Sequence, residues 1–431
     1  MSFAPPAPDW DALKERLFSQ NQFAIKLGLD NMREALRLER LSRVSHRVVL
    51  IAGTNGKGTT ASMLSSILTE HGLRVGLYTS PHLIDFNERF RIDGVPAVRE
   101  LVRERASDIL VRYADPPEES GTPRLTYFEL TTLIACSLFE WAEVDVAVYE
   151  VGLGGRLDAT NAMEPNLSVI TTLGFDHQRY LGDTIQQIAR EKAGIMRQGI
   201  AVVCGRQEHD GAADALTIAA SSVGAELVDS EAGQGDFSVA VLEAISRRAP
   251  VQRGHARTAS AAARLLLGED LSDDALARGL DAARWPGRFE TKSVTREGRA
   301  LELFIDGAHN MDGVRAFNAW LAPHRPEHIL FGAMSDKPLS DMVSALRETH
   351  DVPITGVLIQ NARAASAEQL TGALGPGGAI ARLSAALDAL PSSVSRVAVC
   401  GSLYLVGELY SELGLTAESL LTRSRDESQV R

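Results

Sequence analysis

The chain has 431 residues, 45% hydrophobic and 23% charged, with a formal net charge of −12. That length exceeds what one core usually holds, so two globular domains are expected. The acid excess argues against nucleic-acid binding, and no run of about 18 apolar residues offers a membrane span.

The N-terminal MSFAPPAPDW lacks the basic stretch and apolar core of a secretion signal. Cys136, Cys204 and Cys400 lie far apart beside apolar runs. Buried free thiols in a soluble cytoplasmic protein are therefore expected. Apolar runs at 48–51, 75–78, 144–151, 167–173 and 200–204 alternate with helical periodicity, as at 126–141 and 184–195. Strands apolar throughout belong to a parallel sheet covered on both faces. The alternation predicts a doubly wound α/β domain. Helical patterns at 257–267 and 272–283 lead to RWPGRFE, 284–290, where a Pro-Gly turn marks a boundary. Four more strand-like runs follow, in LELFIDGAHN, HILFGAMSDK, ITGVLIQ and RVAVCGSLYLVGEL. They predict a smaller Rossmann-like α/β domain, dividing the chain at 1–285 and 286–431. The polar tail from about residue 416 is expected to be partly mobile.

The first strand enters VVLIAGTNGKGTTASML, 48–64. Amide groups at a helix start point outward at the positive end of its dipole, which suits a phosphate. Gly53, Gly56 and Gly58 allow close approach, Lys57 suits the β/γ-phosphates, and Thr59 or Thr60 offers a hydroxyl to Mg²⁺. Ile51 and Gly58 stand where the generic P-loop has glycine and Ser/Thr, so the spelling is a variant. Other strand ends deliver Ser80, Glu150, Asp176 and His177 beside this loop, a set suited to a divalent ion. Read singly, Ser80 is also a turn former, His177 a loop residue, and Lys192 in AREKAGI a solvated helix lysine.

AGTNGKGTT resembles the loop of the folylpolyglutamate synthase and dihydrofolate synthase family, relatives of the Mur ligases. YTSPHLIDFNERFRIDG, TYFELTT, YEVGLGGRLDATN, DHQRYLG, EKAGI, WPGRFE, IDGAHN, FGAMSDK and GSLYLVGEL resemble that family too, in its order. The resemblance implies an N-terminal P-loop ATPase-type domain carrying ATP and folate sites, followed by a C-terminal glutamate-ligase domain. It implies ATP contacts at Gly53, Thr54, Asn55, Gly56, Lys57, Gly58, Thr59, Thr60, Arg288, Asp306 and His309. Mg²⁺, two ions, would be held by Ser80, Glu150, His177 and a carbamylated Lys192. Lys57, His177 and Lys192 are the implied catalytic groups. The pterin-bearing substrate falls to Gly28, Leu29 and Asp30, to Thr126, Tyr127, Phe128 and Glu129, and to Leu157, Asp158 and Ala159. Of these, Asp30 also reads as a helix N-cap and Phe128 as a core aromatic. The family's Asn-Ala pair before the linker is missing from GHARTASAAARLLL, 254–267, where Thr258 or Arg257 is the available polar group.

The implied reaction is ATP-dependent addition of L-glutamate to dihydropteroate or a reduced folate through an acyl phosphate, by a monomer. A Mur-like ligase on a peptidoglycan precursor is a near alternative, disfavoured by Gly58 and GGRLDATN. A P-loop ATPase switch is a distant one, which would hydrolyse ATP without an amino acid.

Overall fold

The computed structural model describes residues 9–20, 28–231 and 237–421. The tail beyond 421, and Lys26 and Leu27 of KLGLDNM, fall outside these. Among the described residues no helix is long and apolar enough to cross a membrane. The chain forms two compact units. The first comprises Met1–Ser80, Phe86–Arg248 and Gln252–Arg284; the second comprises Pro81–Asp85, Ala249–Val251 and Trp285–Arg431.

In the first unit the strands are β1 (Arg47–Ala52), β2 (Val75–Tyr78), β3 (Phe90–Ile92), β4 (Val95–Pro96), β5 (Val146–Glu150), β6 (Leu167–Ile170), β7 (Ala201–Cys204) and β8 (Glu226–Asp229). They form one eight-stranded sheet in the order β4-β3-β2-β5-β1-β6-β7-β8. Pairing is parallel from β2 to β8 and antiparallel at the β3 and β4 edge. The central strands β1, β5 and β6 are almost wholly buried, which explains their unbroken apolar runs. One face carries a cluster including Leu50, Leu130, Ile134 and Ile170, and the other a cluster including Ile51, Leu64, Ile67 and Val148.

The second unit contains β9 (Glu290–Arg296), β10 (Arg299–Asp306), β11 (His328–Phe331), β12 (Ile354–Val357), β13 (Ile380–Ala381) and β14 (Arg396–Cys400). Their order is β13-β12-β11-β14-β10-β9, parallel except for the β10–β9 hairpin. The mixed α/β class read from the sequence holds in both units. Five strands were not anticipated. β3, β4 and β13 are too short to show a period, and β8 lies at a half-exposed edge. β9, ETKSVTR, is a polar edge strand that lacks an apolar face. Run 167–173 overshoots β6, because Thr171–Leu173 leave the sheet to brace the glycine loop. The 257–267 helix starts earlier, at Pro250. All three cysteines are buried and free.

Candidate functional site

The loop after β1 is pinned by the segment after β6. The Thr54 and Asn55 amides donate to the Thr172 carbonyl at 3.0 and 3.2 Å. Thr171 Oγ1 donates to the Asn55 carbonyl at 2.8 Å, and Thr54 Oγ1 donates to the Gly174 carbonyl at 3.0 Å. Gly53 is obligatory here: a Cβ would stand 1.8 Å from Thr171 Oγ1, at φ +151. Gly56, φ 84, caps the helix Lys57–Glu70 without a side-chain bond. The first amides of a helix lack intrahelical acceptors, so those after Gly56 are oriented for an anion. Thr59 and Thr60 are both buried, and Thr60 Oγ1 has no partner among the described residues.

Two lysines meet at one carbonyl. Lys57 Nζ lies 3.1 Å and Lys192 Nζ 2.8 Å from the Gly53 oxygen. Burial, and then the neighbouring Lys57 charge, lower the Lys192 pKa to about 7, while Asp176 and Asp158 oppose the shift. The solvated-lysine alternative is therefore corrected: Lys192 is 4% exposed. It shares the buried stripe of the helix Ile185–Ala193 with Ile185, Ile188 and Ala189. That spacing is the sequence signal that would have found it. Gly155 allows this approach, since a Cβ there would lie 2.8 Å from the carbonyl oxygens of both Glu191 and Lys192.

The order β2-β5-β1-β6 sets four carboxyl strand ends side by side. Glu150 ends β5 almost fully buried, and the Ser80 amide donates to its Oε2 at 3.0 Å. Arg91, unnoticed in the sequence, is buried. Burial lowers its pKa to about 10 against the pull of Glu88 and Glu150. His177 adopts φ 52 and donates its amide to Asp176 Oδ1 at 2.8 Å, with its ring half-exposed. Ser80 and Glu150 are thus adjacent, and Lys192 interacts with Asp176. No group of three or more His, Cys, Asp or Glu side chains suited to a metal forms among the described residues. A hydroxyl and a carboxylate nevertheless fit a hard cation that takes its other oxygens from phosphates and water.

The three substrate segments divide differently. Thr126 N-caps the helix Tyr127–Trp141 in a capping box, with its amide and hydroxyl both 2.8 Å from Glu129 Oε2. Glu129 is 4% exposed, and its other oxygen has no partner among the described residues. Tyr127 is buried under the Arg89 guanidinium, 5.5 Å from its ring centre. Phe128, partly buried, packs on the core and on Tyr78, so both of its readings stay open. Asp158 is internally satisfied. Its Oδ2 accepts from the Gly152 and Leu153 amides, and its Oδ1 from the Thr160 amide and hydroxyl. It caps the short turn Ala159–Ala162 after Leu157. Asp30 is not a cap, as read from the sequence; Leu29 takes that place after Gly28, φ 148.

In the second unit Asp306 ends β10. It accepts the Phe289 amide at 2.9 Å and stands 3.8 Å from Arg288. Burial raises its pKa while Arg288 pulls it down. His309 Nδ1 lies 2.9 Å from the Gly307 carbonyl, so Asp306 and His309 share the turn after β10, and Arg288, which precedes β9, reaches that turn: a Cβ at Gly307 would lie 2.8 Å from its Nη1.

Residues 51–225 match the Mur ligase middle domain. The dihydrofolate synthase/folylpolyglutamate synthase of Escherichia coli strain K12 is 33% identical over 435 residues, covering 94% of this chain and 95% of its own. The chain belongs to that family. The α/β fold and ATP-dependent ligase class read from the sequence stand with it. A probable bifunctional folylpolyglutamate synthase/dihydropteroate synthase of Haloferax volcanii is 36% identical over 427 residues, 91% of this chain. This chain spans about half the length of that relative, 49%. Among solved structures, a bifunctional synthase with Mn, AMPPNP and L-glutamate bound has a TM-score of 0.80 at 30% identity, covering 95% of this chain and 100% of its own. The Escherichia coli enzyme with DHPP and ADP has a TM-score of 0.81 at 29% identity, covering 95% and 98%.

Proposed function

We propose that this family member activates the carboxylate of a pterin-bearing acceptor with ATP and joins it to L-glutamate. The acceptors are 7,8-dihydropteroate and reduced folates, and the enzyme works as a cytoplasmic monomer. The observation that carries the proposal is the convergence of Lys57 and Lys192 on the Gly53 carbonyl, beside the helix start and near the strand ends bearing Ser80 and Glu150.

In this reading the loop Gly53–Thr60 holds the triphosphate, with Lys57 neutralising the transferring phosphoryl. Arg288, Asp306 and His309 are assigned to the nucleotide as well. Gly28–Asp30, Thr126–Glu129 and Leu157–Ala159 frame the pterin. Glu129 Oε1 suits a ring N–H, because a buried carboxylate oxygen without a partner gains most from a donor. Ser80, Glu150 and His177 would hold Mg²⁺, which supplies charge neutralisation between phosphate oxygens. Lys192 as a free ammonium cannot ligate a cation. Its carbamate would, and carbamylation needs the neutral amine that burial favours. The carboxylate attacks the γ-phosphorus, ADP leaves, and the glutamate amine then displaces phosphate as the amide forms. Positioning and charge neutralisation do most of this work.

The test is phosphate release with MgATP and L-glutamate, with dihydropteroate or tetrahydrofolate in parallel and the products weighed by mass spectrometry. Turnover requiring both glutamate and an acceptor supports the proposal, and the acceptors used name the activities. Release that needs neither overturns it in favour of an ATPase switch.

A further inference from the structure

The glycine loop is braced on one side by Thr171–Gly174, and on another by a residue of GHARTASAAARLLL given no role so far. A Cβ at Gly56 would stand 2.1, 2.4 and 2.6 Å from Cε1, Nε2 and Nδ1 of His255. The nitrogen-bearing tip of that imidazole therefore lies directly against Gly56, the residue from which the loop turns into its helix. His255 is 7% exposed and sits in the helix Pro250–Leu267. Ala256, Ala259, Ala262 and Ala263 on that helix are fully buried in one apolar cluster with Ala61, Leu64 and Ile67.

The neighbouring polar residues are committed elsewhere. Thr258 Oγ1 binds the Gly254 carbonyl at 3.0 Å and Ser230 Oγ at 3.3 Å, while Arg257 faces Glu231 at 3.8 Å. His255 is the one whose ring faces Gly56.

We propose that His255 is a nucleotide-positioning residue, acting through Gly56. The ring fills the space a side chain would occupy and holds Gly56 in its left-handed turn, φ 84. That turn aims the amides of the helix start at the phosphates. Without the ring the loop keeps its hydrogen bonds to Thr171 and Thr172 but gains freedom at the hinge into the helix, so nucleotide binding must order it. The inference rests on the ATP reading above.

The experiment measures MgAMPPNP affinity by calorimetry, together with KM for ATP, for L-glutamate and for the acceptor. His255→Ala should weaken MgAMPPNP and raise KM for ATP by about tenfold. Both other KM values should stay within about twofold, and His255→Gln, a flat side chain of similar reach, should recover most of the loss. Gly56→Ala should cost less in the His255→Ala background than in wild type, because the obstructing ring is gone. Unchanged affinity in His255→Ala overturns the inference, as does an equal rise in all three KM values or a Gly56→Ala loss identical in both backgrounds. Should His255→Ala fold poorly, the more conservative His255→Asn, which is too short to reach Gly56, takes its place in every arm with the same expected outcomes. Wild-type protein that fails to bind MgAMPPNP would overturn the ATP reading instead.

Discussion

Lys192 concentrates the conflict between stability and function in one side chain. An ammonium buried beside Lys57 is costly, and its hydrogen bond to the Gly53 carbonyl offsets only part of that cost. Lys192→Met should reduce ligation by at least about 100-fold, as loss of a phosphoryl-site charge does. Its melting temperature should equal or exceed wild type, because the apolar stem still fills the space. A marked loss of melting temperature in calorimetry would show that the lysine is structural. Glu129 gives the complementary case. Glu129→Gln keeps an oxygen for the capping box, in which Gln is a normal partner. It also offers an amide donor where the unpartnered oxygen now sits. KM for the pterin acceptor should rise about tenfold while KM for ATP holds, a difference of about 1.4 kcal/mol in one substrate only. At this scale the sequence was half legible. Lys57 follows from the glycine loop, and Ser80 and Glu150 from their places at strand ends. His255 and Arg91 do not, because their contacts are made by elements distant in the chain.

Elements explain why the glycines of EVGLGGRLDATN are not interchangeable. A methyl at Gly155 meets two backbone oxygens at 2.8 Å, and backbone cannot swing aside. A methyl at Gly152 meets the Phe128 ring at 2.5 Å, and a side chain can. Gly155→Ala should therefore shift the helix Ile185–Ala193 that carries Lys192, costing about 1–3 kcal/mol of stability and most of the turnover. Gly152→Ala should displace Phe128 and appear chiefly as a higher KM for the acceptor, with melting little changed. Steady-state kinetics on both variants tests the pair; matching profiles would mean that neither element has the separate role assigned to it. The apolar central strands were readable because burial on both faces leaves an unbroken run. The edges were not, since β9 and β8 carry polar or half-exposed residues that resemble loops.

Across the whole molecule, acid should weaken both units through buried histidines. Burial lowers the pKa of His46, His328 and His350; only at His46 does a carboxylate, Glu140, push the other way. His328 Nε2 lies 2.8 Å from Thr355 Oγ1, while its Nδ1 and His350 Nε2 are buried without partners among the described residues. Neutral imidazole suits these places and the cation does not. With folded values below 6.5, the unfolded chain binds more protons as pH falls. The stability these groups contribute is present above that value and is lost as pH falls through the depressed folded pKa values. Melting temperature should therefore fall between about pH 7 and pH 5, before most carboxylates titrate. His328 and His350 belong to the second unit and His46 to the first, and two units can melt separately. His328→Gln should flatten the pH dependence of the second unit's transition, and His46→Gln that of the first. Calorimetric scans at several pH values decide this. A slope unchanged in both variants would assign the acid sensitivity to other groups.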